Sequence, residues 1–229
     1  MAEINVLSGA AVEPGLVAAV ELFRKQTGHS VNISFATTPD MRRLIGEGAT
    51  PDVMIAPPAA LDEFAKSGRV DSAVRVLLGR VGVGVVIRDG ARKPDVSTVD
   101  ALKRALHEAD TVIYNRASSG LYVESLLQRL GLAGPIEAKT RRYIGTDMIE
   151  PMINGKGNEI GFMPVVQILN WRGRGLQLAG PLPAEIQHHT TYAAASAPQS
   201  DGGLTFVRFL GTPDAKEMFA RAGVELSTP

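Results

Sequence analysis

Side chains suited to holding an anion cluster where short apolar runs give way to helices. The clearest stretch is Asn115-Arg116-Ala117-Ser118-Ser119-Gly120-Leu121-Tyr122, which follows the β-prone run Thr111-Val112-Ile113-Tyr114. A strand–turn–helix of this kind leaves backbone N–H groups free at the helix start, where the positive end of the helix dipole also points. Ser118 and Ser119 add hydroxyl donors, and Arg116 can grip a carboxylate or phosphate through two parallel hydrogen bonds. A simple helix cap accounts for the serines equally well, and a solvated surface arginine accounts for Arg116. Three other turns carry related chemistry. They are Ser8-Gly9-Ala10-Ala11, Thr37-Thr38-Pro39-Asp40 and Gly145-Thr146-Asp147. Thr146 offers a hydroxyl, and Asp147 with Met148 offers N–H groups at another expected helix start.

Signals for other chemistries are absent. The sequence holds no nucleophile elbow, phosphate loop, HExxH or dinucleotide fingerprint, and Gly82-Val83-Gly84 lies inside a strand-like run. His188 and His189 are adjacent, so on a strand they point to opposite faces and make no metal pair. Without cysteine, disulfides and thiolate metal sites are excluded. No metal or organic cofactor is expected. Asp40, Asp147, Tyr122 and His188 are conceivable proton acceptors, but none has an evident partner in the sequence.

The elements needed to position these residues follow from periodicity. Residues 3–7, 31–35 and 53–56 read as strands, each followed by a helix with apolar residues at helical spacing. That βα repetition argues for a mostly parallel sheet covered by helices. Residues 80–88 form a long glycine-loosened strand, and a helix over 98–109 is capped by Ser97 or Thr98. The Arg116 stretch opens a second βα set, whose helix buries Leu121, Leu126, Leu127 and Leu130. A helix over 145–154, strands at 160–163 and 176–179, a return strand at 190–196 and two terminal helices complete the pattern. The expected lobes are residues 1–82 plus 190–229, and residues 83–189, with hinge crossings near 80–85 and 185–192. Helix starts and strand ends would then face a central ligand cleft.

The 229 residues carry 24 basic and 24 acidic side chains. That balance suggests no nucleic-acid or membrane surface, so anion binding must come from local placement. No apolar run approaches the roughly 18 residues that a membrane span needs. The opening Met1-Ala2-Glu3-Ile4 lacks the basic and apolar regions of an export signal. The expected location is therefore periplasmic if such a segment has been removed, and otherwise cytoplasmic.

With this layout the chain resembles the type II periplasmic solute-binding proteins, especially their molybdate-binding branch. The resemblance rests on Val6 to Ala11, Ser34-Phe35-Ala36-Thr37-Thr38, Pro51-Asp52-Val53-Met54-Ile55, Ser119-Gly120-Leu121-Tyr122, Asn158-Glu159-Ile160-Gly161 and Phe206-Val207-Arg208-Phe209-Leu210. It implies an α/β fold of two lobes, with mixed, mostly parallel sheets and a ligand cleft. It also implies ligand contacts from Ser8, the backbone of Gly9 and Ala10, the Thr38 hydroxyl and the Ser119 N–H. Ala11 stands where that branch has a serine, and Pro164 where it has a tyrosine, so two hydroxyl donors are replaced.

The second lobe, through Gly82 to Ala91, Lys93 to Leu102 and Tyr114 to Tyr122, is similar to the aconitate isomerase-like branch. That branch handles a tricarboxylate without a cofactor. The implied function is capture of a small anion, an organic carboxylate rather than molybdate, by a monomer that serves an ABC-type transporter. The alternatives are a cofactor-free isomerase of an unsaturated polycarboxylate and a cytosolic sensing module.

Overall fold

The computed structural model describes residues 2–71, 73–116 and 118–226, without the side chain of Ser118. In chain order, β1 (Glu3–Ser8) leads through a short helical turn into α1 (Glu13–Thr27). Next come β2 (Ser30–Phe35), α2 (Thr38–Gly46), β3 (Val53–Ala56), α3 (Pro58–Lys66) and the long β4 (Arg75–Arg88). The middle of the chain holds α4 (Val99–Glu108), β5 (Thr111–Asn115), α5 (Ser118–Arg129), α6 (Ala133–Ile136), β6 (Thr140–Tyr143) and α7 (Ile149–Asn154). β7 (Glu159–Pro164), α8 (Val165–Asn170), β8 (Leu176–Pro181), β9 (His189–Ser196), α9 (Asp201–Leu210) and α10 (Pro213–Arg221) complete it. The fold is α/β. The chain divides into two compact units, Met1–Val81 with Thr190–Pro229, and Gly82–His189.

In the first unit, β1 pairs in parallel with β2 and with β3, and β9 closes the row antiparallel to β3. Side chains on one sheet face, including Leu7 and Met54, pack with Met41 and Ile45 of α2 and Leu61 and Phe64 of α3. Elsewhere in the unit, Phe23 of α1 meets Phe206 and Phe209 of α9 at centroid distances of 4.9 and 5.0 Å. Asp52 ties the unit's two sequence segments together, because its carboxylate accepts from the Asn5 N–H and from the Ser200 hydroxyl, each at 2.8 Å.

In the second unit, β5 lies parallel to both β6 and β7, while β4 runs antiparallel to β7 and β8. Alternation along β5 serves both faces. Val112 and Tyr114 join Leu102, Leu106, Val123, Leu126 and Phe162, whereas Ile113 joins Met148, Met152, Met163 and Ile168. Thr98 caps α4 by accepting from the Ala101 N–H at 3.1 Å.

Several sequence expectations change. Leu121 is 58% exposed rather than core, and Val123, fully buried, takes that place on α5. The helix expected over 145–154 starts only at Ile149, after a turn. Pro151 therefore falls in its first turn, where a missing N–H breaks no intrahelical bond. β6 was not expected at all. Its Arg141 and Arg142 obscure the alternation, yet Arg142 lies over the Tyr114 ring at 5.5 Å and so covers apolar surface. α9 begins at Asp201, because Ser200 accepts from the Gly203 N–H and caps it.

Candidate functional site

Each unit gathers hydrogen-bond donors at the carboxyl ends of its parallel strands. In the first unit, the turn after β1 lies beside the turn after β2, since the Ala36 N–H donates to the Ser8 carbonyl at 2.9 Å. Not every expected donor there is free. The Gly9 N–H donates to the Ile55 carbonyl at 2.9 Å, and the Ser8 hydroxyl, fully buried, donates to the Gly9 carbonyl at 3.1 Å. The turn's available donors are instead the N–H groups of Ala10 and Ala11, at the start of the helical segment that Gly9 caps.

At the second turn, Thr37 is occupied. Its hydroxyl caps α2 by accepting from the Asp40 N–H and donates to the Asp40 carboxylate at 2.6 Å. Pro39 has no N–H, so the donors left at this helix start are the Thr38 N–H and its hydroxyl, neither partnered among the described residues.

In the second unit, β5 ends at Asn115 and the Arg116 N–H donates to the Tyr143 carbonyl at 2.9 Å. This bond sets the Arg116 turn beside the turn of residues 144–147. α5, 12 residues long, starts directly after, and Ser119 in its first turn is only 8% exposed. Gly120 lets this helix start sit on the strand end: a Cβ there would lie 1.5 Å from the Asn115 carbonyl oxygen. The N–H groups of that first turn have no intrahelical acceptor. The Arg116 side chain is exposed, and among the described residues its guanidinium has no ion pair or hydrogen bond. Ala117 and the side chain of Ser118 lie outside the described residues.

Thr146 and Asp147 are exposed and lie on the turn of residues 144–147. The Asp147 N–H is already used, donating to the Ile144 carbonyl at 3.0 Å, so it is not the free donor that a longer helix would have provided. Ile144, 75% exposed, and Leu121 border the same region with apolar surface.

From residue 4 to residue 225 the sequence matches the family described as bacterial extracellular solute-binding protein. The chain belongs to that family. It is 26% identical to an aconitate isomerase from a Pseudomonas species, over 97% of this chain and 87% of the relative. Among solved structures, the periplasmic molybdate-binding protein of Azotobacter vinelandii superposes with a TM-score of 0.79 at 18% identity, covering 98% of this chain and all of its own. The sulfate-binding protein SubI from Mycobacterium tuberculosis H37Rv gives 0.75 at 19% identity, covering 100% and 88%. The fold of this solute-binding protein is thus that of the periplasmic binding proteins.

The remaining polar candidates of the solute-binding protein are largely engaged. Arg142 pairs with Glu124 at 3.1 Å and Glu137 at 2.8 Å, and the hydrogen bond to Glu137, with Tyr114 beside it, holds its pKa above the usual guanidinium range. Arg141 donates to the carbonyls of Ala138 and Thr140. Both arginines are therefore engaged within the protein. Tyr122 donates to the Ile186 carbonyl at 2.7 Å and stacks on His188 at 4.4 Å. Burial, with the neighbouring His189, pushes the His188 pKa down. Among the described residues no three histidine or carboxylate groups are placed to hold a metal.

An open groove of about 670 Å³ lies at the other edge of the second sheet, near the starts of β5 and β7. Its Arg88, Arg92, Lys93 and Arg104 are offset by Asp95, Glu108 and Asp110, so it is no cationic pocket.

One residue near the first-unit donors was not singled out from the sequence. Tyr192 of β9 packs its ring over Gly9, where a Cβ would meet Cε1 at 2.8 Å. Its place in an apolar, threonine-rich run marks it only as part of the return strand. The polar residue between small ones was the available signal.

Proposed function

We propose that this solute-binding protein captures a small organic carboxylate and delivers it to an ABC-type transporter, acting in the periplasm once exported. The observation that carries the reading is Arg116: a guanidinium without a partner among the described residues, on the turn that leads into α5. An unpaired arginine beside helix-start N–H groups suits a planar carboxylate, which it can bind through two parallel bonds. The exposed Leu121 and Ile144 nearby supply apolar surface that a carbon skeleton uses and a tetrahedral oxyanion does not. Ser8, Gly9, Ala10, Thr37, Thr38, Ser118, Ser119, Thr146 and Asp147 are the further residues proposed to form or frame the ligand contacts. Ala10, Thr38 and Ser119 supply the donors themselves. Ser8, Gly9 and Thr37 act by holding the turns in shape, because their own donors are engaged.

Thermal-shift measurements with citrate, cis-aconitate, trans-aconitate, molybdate, tungstate and sulfate test this. Stabilisation by a carboxylate is expected, and stabilisation by molybdate or tungstate alone would overturn the carboxylate assignment.

A second reading, a cofactor-free isomerase of an unsaturated polycarboxylate, is favoured by the similarity to an aconitate isomerase along nearly the whole chain. An NMR time course with cis-aconitate separates the two readings. Conversion to the trans isomer supports the enzyme, and unchanged ligand supports the binder.

A further inference from the structure

We propose that Tyr192 is a ligand-binding residue, its hydroxyl donating to an anionic oxygen held at the Ala10 and Ala11 N–H groups. The proposal rests on the anion-binding reading above and adds a donor that the sequence resemblance does not supply. β9 runs antiparallel to β3, with Ala193 opposite Ala56 at that strand's last residue. Tyr192, one residue earlier on β9, is therefore carried to the carboxyl edge of β1 and β3, where the Gly9 turn begins. The ring lies against that turn, with Cε1 at 2.8 Å and the hydroxyl-bearing Cζ at 3.7 Å from the point a Gly9 Cβ would occupy. Any larger residue at position 9 would push the ring aside.

Tyr192 is only 8% exposed; its hydroxyl has no hydrogen-bond partner among the described residues and is not one of the fully buried unpartnered atoms, so solvent or a ligand reaches it. Buried tyrosines ordinarily place that hydroxyl against a protein acceptor, and here only water or a ligand can supply one. The phenol oxygen could accept from one of the neighbouring N–H groups at the helix start, but no such bond forms among the described residues, which leaves all of them available as donors. A single acceptor-rich oxygen satisfies all of them together, which is what a carboxylate or oxyanion offers. Burial alone pushes the phenol up to about 12, so it stays protonated, and hence a donor, throughout the neutral range.

Calorimetric titration of citrate, both aconitates, molybdate and sulfate into the parent and into Tyr192→Phe is the test. Phenylalanine keeps the ring over Gly9 and removes only the hydroxyl. The unliganded variant is expected to melt at or above the parent, because no protein contact is lost. Affinity for whichever anion the parent binds is expected to fall roughly 10- to 100-fold, the range for a hydrogen bond to a charged group. In isotope-labelled protein, the Tyr192 signal among the four tyrosines should shift when that anion is added. Equal affinity of parent and variant overturns the role of Tyr192 and leaves anion binding intact. A variant of lower melting temperature and equal affinity also overturns it, assigning the hydroxyl to the fold. If none of these anions binds the parent, the anion-binding reading fails, and Tyr192 fails with it.

Discussion

Replacing Gly120 by alanine probes how the Arg116 turn is built. The added Cβ would sit 1.5 Å from the Asn115 carbonyl oxygen, 2.6 Å from its carbon and 2.9 Å from Oδ1. Ordinary contact begins near 3.4 Å, so the start of α5 or the end of β5 must move by about 2 Å. The nearest two atoms are backbone, so no rotamer change relieves the clash. Movement of the helix is opposed by Val123, Leu126 and Leu127, which bury it against the sheet at 0–3% exposure. Overpacking ordinarily destabilises by about 1–3 kcal/mol, and a backbone clash of this depth should reach or exceed about 3 kcal/mol. For a chain of this size that corresponds to a melting temperature lower by roughly 6–12 °C. Gly46→Ala is the control, since a Cβ there meets nothing within 4 Å and the helical backbone accepts it. That change should be neutral or stabilise by up to about 1 kcal/mol. Differential scanning calorimetry of both variants decides the matter. A Gly120→Ala protein melting within about 2 °C of the parent would refute the close approach. Because the helix start carries Ser119, the same variant should also lose affinity for its anion.

Arg116→Ala should weaken binding of a carboxylate by roughly 1.5–3 kcal/mol by calorimetry, and unchanged affinity would mean that the guanidinium faces only solvent. Thr98→Ala removes the cap of α4 and should lower stability by about 1 kcal/mol in urea unfolding, with the midpoint unmoved if the Ala101 bond contributes nothing. Tyr192 links stability to alkaline pH. Its folded pKa of about 12 exceeds the unfolded value of 10, so the stabilising contribution is complete below pH 10. As the pH rises from 10 towards 12 the unfolded chain loses its proton first, and up to about 3 kcal/mol is lost. Alkaline unfolding curves for parent and Tyr192→Phe should diverge over that interval, and parallel curves would count against a raised phenol pKa.

Local order along the chain sets the architecture and the places where chemistry can occur. Short continuous apolar runs such as Val53–Ala56 and Thr111–Asn115, set between helical repeats, specify βα units whose helix starts must lie at the strand ends. Arg116, Ser119 and Thr38 were therefore legible as candidates from local order alone. What the sequence could not carry was which donors remain free. The Gly9 N–H is taken by Ile55, 46 residues away, and the Asp147 N–H by a turn within its own segment. Arg142 is matched by Glu124 and Glu137, and Thr37 by Asp40. Hydrogen-bond satisfaction is a property of three-dimensional neighbours and leaves no periodic trace in the chain. Tyr192 shows the same limit from the other side. The apolar, threonine-rich run around it marks it as a strand residue, but only the antiparallel return of β9 lays its ring on Gly9 and leaves its hydroxyl without a partner among the described residues.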